Sequence, residues 1–233
     1  MLRYIDSNKM GRSQLGWLDS YFHFSFAEYC NPNNVQFGVL RVLNDDRVQP
    51  GTGFETHPHR DMEIVSYVVE GELSHADSMR NEETLTRGQV QYMSAGTGVY
   101  HSELNHGEKL LRFLQIWILP DKKGHKPNYG SQRFALEARR NQWLFIASGS
   151  SEKAPIRVHA DVNLYAALLD KDQKLDFKAG PNRQAYMVMI EGSGSVNGVR
   201  LSMRDAVEIV GEDVTVAPSE SAHLIVIEMA KAS

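Results

Sequence analysis

The sequence predicts an all-β fold made of two β-barrels, and three observations support that prediction. Short runs rich in valine, isoleucine, leucine, phenylalanine and tyrosine recur along the chain, separated by glycine, asparagine, aspartate and proline. Helical periodicity is scarce, and a faint repeat occurs in both halves of the chain. Evenly spaced short strands with turn residues between them are typical of sandwiches and barrels.

Individual strands are predicted where the apolar runs are longest, at residues 37–43, 63–69, 90–93, 110–119, 185–190, 206–210 and 223–229. One short helix is predicted at 132–142, which carries the best helical pattern of the chain. Asp45 and Asp46, which stand just before Arg47, are predicted to lie in a solvated turn.

The repeat divides the chain into two predicted domains. Segments 68–72 and 189–193 each consist of an apolar strand that ends in Glu-Gly and is followed by another strand. Between the halves, the polar stretch at 120–128 has the composition of a connection between domains. We therefore predict an N-terminal domain at 1–130 and a C-terminal domain at 131–233.

The composition limits the surroundings and partners of the protein. The chain is 42% hydrophobic, which is an ordinary globular composition. Its net charge of −4 argues against sequence-independent binding of nucleic acid. Cys30 is the single cysteine, so no internal disulfide can form. No apolar run reaches the ~18 residues of a membrane span, and residues 1–16 lack the apolar segment of a secretory signal. We expect a soluble, cytoplasmic protein without membrane or direct nucleic-acid partners.

Two short strings carry metal-ligand residue types. The first is His57-Pro58-His59, and the second is His101-Ser102-Glu103. Residues i and i+2 of a strand point to the same face of the sheet. If the two strands are neighbours, three imidazoles and one carboxylate converge on one point. The sequence therefore predicts a site for a single metal ion in the first half of the chain.

The donor set favours one divalent transition metal. Three imidazoles and one carboxylate resemble the ligands of the 2-His-1-carboxylate iron oxygenases, with one extra imidazole. Fe(II) is the first choice, and Mn, Ni, Cu and Zn stay open. A divalent ion with one carboxylate leaves a site charge of about +1, which favours an anionic substrate oxygen such as an enolate or a phenolate.

The residues around both strings resemble the motifs of germin-type cupins. The first His-x-His follows Gly51 at the spacing of the first motif, and residues 98–105 match the second motif, Gly-x-x-His-x-x-x-Asn. Glu63 lies one residue out of register with the acidic ligand of the first motif, and such a shift turns a side chain to the other face. Glu103 is therefore expected to replace it as the ligand.

This replacement points to a narrower group, because the chain resembles the pirin family across residues 16–120. The resemblance implies a bicupin fold, in which two jelly-roll-like β-barrel cupin domains pack together and only the N-terminal domain binds metal. The family's ligands carry over onto His57, His59, His101 and Glu103. The stretches that carry the resemblance include Gly-Trp-Leu-Asp-Ser (16–20), Thr-His-Pro-His-Arg-Asp-Met-Glu-Ile (56–64), Met-Ser-Ala-Gly-Thr-Gly (93–98) and Gln-Ile-Trp-Ile (115–118).

The second half lacks a comparable ligand set. When the Glu-Gly turns of the two halves are aligned, the His-x-His positions fall at Lys178 and Gly180. His223 falls near the position of His101 but stands alone. We therefore predict a metal-free C-terminal domain. Packing roles are predicted for Trp17, Phe22, Phe24, Phe26 and Trp117, with an aromatic pocket left open as an alternative for the two tryptophans. Surface or turn positions are predicted for His23, His75, His106, His125 and His159.

The resemblance implies functions of different classes. Several bacterial pirins are similar in these motifs to quercetin 2,3-dioxygenases, which open the flavonol ring with O₂ and release carbon monoxide. This implies a metal-dependent dioxygenase with a flavonol-like substrate, in which Glu103 removes the 3-hydroxyl proton. The alternative is a non-enzymatic, iron-binding redox sensor that regulates a protein partner. A third interpretation is a storage or sugar-binding cupin with structural zinc.

Overall fold

The computed structural model describes residues 1–231, and their regular secondary structure is almost entirely β-strand, as predicted. Each predicted strand overlaps an observed one. The first twelve strands are β1 (Leu2–Ile5), β2 (Gly11–Gln14), β3 (Leu18–Phe22), β4 (Leu40–Val48), β5 (Thr52–His59), β6 (Glu63–Glu70), β7 (Glu72–Asp77), β8 (Glu82–Thr86), β9 (Val90–Ser94), β10 (Val99–Asn105), β11 (Leu111–Ile118) and β12 (Asn128–Gln132).

The second half of the chain contains ten further strands. They are β13 (Leu144–Ser148), β14 (Ile156–Arg157), β15 (Val162–Leu169), β16 (Leu175–Phe177), β17 (Arg183–Glu191), β18 (Gly194–Val196), β19 (Val199–Leu201), β20 (Ala206–Val210), β21 (Val214–Pro218) and β22 (Ala222–Ala230).

The predicted helix at 132–142 is wrong in type and length. The described residues contain only two short 3₁₀ helices, Ser7–Lys9 and Leu136–Arg139. Ala135 provides no side-chain cap to the second, and Asn141 takes a left-handed backbone conformation just after it. Because isolated helices shorter than about 12 residues are marginal in water, a single uncapped turn is the expected result. None of the helices within residues 1–231 is long and apolar enough to cross a membrane.

Two compact units make up the described chain. Residues 1–9 belong to the unit that holds the second half of the chain, because β1 pairs with β20. The assignment of metal binding to 1–130 and of a metal-free domain to 131–233 stays a prediction. The N-terminal unit comprises Met10–Phe134 and Val158–Ala160, and the C-terminal unit comprises Met1–Lys9, Ala135–Arg157 and the residues from Asp161 onward.

The polar stretch at 120–128, predicted to connect two domains, lies inside the N-terminal unit. The backbone N–H of Gly124 donates to Asp61 Oδ1 at 2.7 Å, and that of Thr97 donates to the carbonyl of His125 at 3.0 Å. The stretch then leads into β12, which pairs with β9. Surface loops and interdomain linkers are both polar, so composition alone could not distinguish a loop from a linker here.

Two antiparallel sheets build the N-terminal unit. The larger has seven strands in the order β12-β9-β6-β11-β4-β3-β2, and the smaller has four in the order β5-β10-β7-β8. Leu73 and Leu85 of the smaller sheet share a buried core with Val48, Val68 and Phe113 of the larger. Each such side chain stabilises the fold by about 1.5–3 kcal/mol through burial.

The C-terminal unit repeats this pattern of sheets. Its larger sheet has seven strands in the order β1-β20-β17-β22-β15-β13-β14, and its smaller sheet has four in the order β16-β21-β18-β19. Strand β13 pairs with β14 in parallel, and the other neighbours pair antiparallel. Phe177 and Val214 of the smaller sheet pack with Met187 and Val226 of the larger. The predicted two-domain, all-β architecture is therefore confirmed.

Candidate metal centre

Strands β5 and β10 bring three of the predicted ligands together. The strands pair antiparallel with His101 opposite His57, and a bulge follows, so that Glu103 lies opposite Phe54. One ligand nitrogen of each of the three histidines lies within 4.8 Å of the others. The three imidazoles therefore converge as the i, i+2 spacing predicted.

The environment of His57 sets its tautomer. Its Nδ1 lies 2.7 Å from the backbone carbonyl of Glu55, two residues earlier. A carbonyl can only accept, so Nδ1 carries the proton and donates it. The lone pair of Nε2 is then free for a metal, which is the usual arrangement of a ligating histidine.

His101 carries the strongest indication that an ion belongs here. Its side chain is buried, and neither Nδ1 nor Nε2 has a hydrogen-bond partner in the protein. Buried polar atoms without a partner are rare and costly. A transition metal would satisfy one of these nitrogens, so the residues present fit such an ion.

Electrostatics also favour neutral, metal-ready imidazoles. Burial, followed by the neighbouring charges of His101 and His57, lowers the pKa of His59 to about 4. Burial, followed by His57 and His75, lowers the pKa of His101 to about 3. Both rings are therefore unprotonated at neutral pH, as metal ligation requires.

Glu103 lies beside this cluster but is held by hydrogen bonds of its own. The carboxylate is buried, and its Oε1 accepts from Ser66 Oγ and Gln91 Nε2, each at 2.7 Å. Its Oε2 accepts from Gln115 Nε2. The triple cluster within 4.8 Å contains only the histidines. The assignment of Glu103 as fourth ligand and base stays a prediction.

The three donors to Glu103 form one line with Asn44 across the larger sheet. Cross-strand register places Asn44 opposite Gln115, Gln115 opposite Ser66, and Ser66 opposite Gln91. We call these four residues of β4, β11, β6 and β9 the polar row. Sequence analysis missed them. Their one visible signal is a polar residue between apolar neighbours in a strand, as for Ser66 in β6 and Gln115 in β11.

A cavity of about 640 Å³ opens beside the histidines. His57, His59 and Glu103 line it together with Asn44 and Asp46. Part of its wall is aromatic: the ring of Trp17 lies edge-on to Phe54, and Trp117 lies edge-on to Phe26 and to His59. The aromatic residues with apolar side chains that line the cavity are Trp17, Phe22, Phe26, Phe54 and Trp117.

Two sequence predictions near this cavity are wrong. Asp45 and Asp46 do not form a solvated turn but are buried in β4, where Arg112 donates to both oxygens of Asp45. Alternation along the strand puts Asp46 on the cavity side. His75, predicted at the surface, is buried, with its ring stacked on Tyr129.

Other candidate residues lie outside the cluster. Glu63, which is out of register in the sequence motif, is buried and accepts a hydrogen bond from Ser94 Oγ at 2.6 Å. His223 in the C-terminal unit lies with Nδ1 2.9 Å from Glu191 Oε2. His23, predicted at the surface, is buried. Their surroundings fit structural roles.

Comparison with known proteins identifies the family. Residues 5–118 match the family model "Pirin", and residues 145–229 match the model "Quercetinase C-terminal cupin domain". A pirin-like protein of Caulobacter vibrioides is 40% identical over 96% of this chain and 97% of its own. The chain belongs to the pirin family. The predicted bicupin class is confirmed with it.

Two further relatives bear on the centre. A protein named quercetin 2,3-dioxygenase from Escherichia coli (strain K12) is 40% identical over 91% of this chain and 91% of its own. The crystal structure of the bacterial pirin YhhW of Escherichia coli, in complex with nickel(II), superposes with a TM-score of 0.93 at 36% identity, covering 100% of both chains. A transition metal is thus bound by a protein of the same fold.

Proposed function

We propose that this pirin is a metal-dependent dioxygenase that cleaves quercetin-type flavonols with O₂. The observation that carries the proposal is the convergence of three imidazoles at an aromatic cavity that also holds a buried carboxylate. The name of the Escherichia coli relative supports the reaction, and the nickel complex supports a transition-metal site. Fe(II) is our first choice of metal.

The cavity suits a flat aromatic substrate. Its volume of about 640 Å³ lies in the range of small-molecule sites. The rings of Trp17, Phe54 and Trp117 offer edges and faces to an aromatic ligand, and such contacts are worth about 0.5–1.5 kcal/mol each beyond burial. Apolar walls also displace water from the reacting centre.

In the proposed reaction the protein's groups hold the metal and move one proton. His57, His59, His101 and Glu103 would hold the ion, which supplies Lewis-acid and redox chemistry. The Glu103 carboxylate accepts the proton of the flavonol 3-hydroxyl. Ser66, Gln91 and Gln115 orient that carboxylate through their hydrogen bonds, so that it meets the substrate in one position.

The test is the loss of quercetin under air by protein reconstituted with Fe(II), followed by absorbance and by release of carbon monoxide. His101→Ala and Glu103→Gln should each reduce turnover at least about 100-fold, because one removes a ligand and the other removes the base. His223→Ala is the matched control, since this buried histidine lies in the C-terminal unit. It should leave turnover unchanged.

Turnover that survives both substitutions would contradict the proposal. So would an iron-loaded wild type without turnover, and the weight would then move to the redox-sensing regulator. That alternative predicts a protein partner retained by one oxidation state of the iron only. Equal capture by metal-free and metal-loaded protein would count against it.

A further inference from the structure

One end of the polar row makes no hydrogen bond to Glu103. Gln91, Ser66 and Gln115 all bond to the carboxylate, whereas Asn44 stands at the end of the row, on β4. Asn44 is 3% exposed and lines the cavity, and its Oδ1 has no hydrogen-bond partner in the protein. This buried acceptor is left over after the needs of Glu103 are met.

A buried carboxyl stands next to it on the same face of β4. Asp46, 2% exposed, also lines the cavity, and Ser20 Oγ donates to its Oδ1. Burial is the main cause that raises the pKa of Asp46 to about 7. Near neutral pH the group can therefore accept a hydrogen bond as carboxylate or donate one as acid.

We propose that Asn44 and Asp46 form a subsite that binds hydroxyl groups of a polyhydroxylated aromatic ligand in the cavity. The inference rests on the proposed function, since it takes the ligand to be a flavonol. A hydroxyl group both donates and accepts, so it can pair with Asn44 Oδ1 and with Asp46. Five aromatic residues line the same cavity, so a ring system can pack against them while its hydroxyl groups pair with Asn44 and Asp46.

Such a subsite discriminates against ligands that lack the hydroxyl groups. A site built to hydrogen-bond a hydroxyl group rejects an analogue without it, because the buried acceptor is left unpaired. Quercetin and 3-hydroxyflavone share the 3-hydroxyl and carbonyl groups but differ in the hydroxyl groups on the outer rings. The subsite therefore predicts a large preference for quercetin that does not depend on the metal-binding end of the molecule.

The experiment is calorimetric titration of both flavonols into the metal-loaded protein under nitrogen, where no turnover occurs. Wild type should bind quercetin at least about tenfold more tightly than 3-hydroxyflavone. Asn44→Leu, which keeps the approximate volume, should reduce this ratio about tenfold and leave 3-hydroxyflavone binding unchanged. Glu28→Gln is the control at another lining position, and it should preserve the ratio.

Asp46→Asn provides a second variant, in case Asn44→Leu unfolds. It retains an acceptor but cannot change protonation, so the ratio should fall and lose its dependence on pH between 6 and 8. Unchanged ratios in both folded variants would overturn the subsite, as would a wild type that binds neither flavonol. Hydroxyl-dependent binding without turnover in air would support the subsite and contradict the dioxygenase. Turnover in air with hydroxyl-independent binding would support the dioxygenase and contradict the subsite.

Discussion

The two units share one strand order but differ in what crosses their larger sheets. Aligning Gly71 with Gly192 places Met187 at the position of Ser66, and the same order of strands continues on both sides. The counterpart of the polar row is then Tyr165, Val226, Met187 and Val207, which lie opposite one another in β15, β22, β17 and β20. The C-terminal row is hydrophobic or aromatic, whereas the N-terminal row is polar throughout.

The smaller sheets differ in the same way. Strand β10, with His101 and Glu103, corresponds by strand order to β21, which reads Val-Thr-Val-Ala-Pro. His223 lies on β22, the counterpart of β11, so the sequence alignment that set it near His101 was wrong. Val214 and Val216 of β21 belong to the core instead.

The comparison shows how one scaffold serves two purposes. Apolar rows close the C-terminal unit into a packed core, and burial is the main stabilising term there. The polar row of the N-terminal unit contributes less stabilisation from apolar burial, because its side chains hold a carboxylate beside three histidines. Buried polar groups are acceptable only when their partners are present, and Glu103 is the partner of three of the four.

The largest expected effect concerns metal content. His101→Ala should lower metal affinity more than the roughly 10–100-fold lost when only a supporting contact is removed. His223→Ala should leave the stoichiometry at one ion per chain, because His223 pairs with Glu191 and lies outside the one cluster of three ligand-type side chains found among residues 1–231. Elemental analysis after dialysis against a weak chelator measures both. A second ion that is lost in His223→Ala would contradict the prediction that only the N-terminal unit binds metal.

An exchange between the two rows should have smaller, opposite effects. Val226→Gln places an unpaired amide in an apolar row and should cost about 1–3 kcal/mol in the free energy of unfolding. Gln115→Val should change stability by less but lower turnover about 10–100-fold, because Glu103 loses a positioning hydrogen bond. Denaturant unfolding and quercetin turnover separate the two. Equal losses of stability would show that the rows are not specialised.

The last prediction concerns the pH dependence of stability. The pKa values of His59 and His101, about 4 and 3, lie below the ordinary 6.5 of an unfolded chain. Between these values the unfolded chain binds protons that the folded chain does not, so the metal-free protein loses stability as pH falls below about 6.5. The loss between pH 7 and 4.5 should be shallower in His101→Gln. Parallel curves for both proteins would contradict this.

The histidine cluster could be predicted because its information is local. Two i, i+2 pairs in strands fix their own faces, and one neighbour relation between β5 and β10 completes the convergence. The polar row could not be predicted in this way. Its four members come from four strands and meet only through the register of three pairings, which a single sequence does not contain.

Prediction from the local sequence was also wrong where polar residues are buried. Asp45 and Asp46 look like a turn because aspartate is common in turns, yet tertiary partners hold both inside β4. Arg112 pairs with one and Ser20 with the other, and both partners are distant in the sequence. The burial of His75 could not be predicted for the same reason, since its neighbours Tyr129 and His101 come from other strands.

The aromatic wall of the cavity gives the protein a built-in optical reporter. The chain has three tryptophans, and two of them, Trp17 and Trp117, line the cavity. Trp117 lies with its ring centroid 4.8 Å from that of His59. Its emission is therefore exposed to quenching by an ion at the histidines and by any absorbing molecule beside them. The third tryptophan, Trp143, packs on Phe177 in the C-terminal unit and supplies the unquenched background.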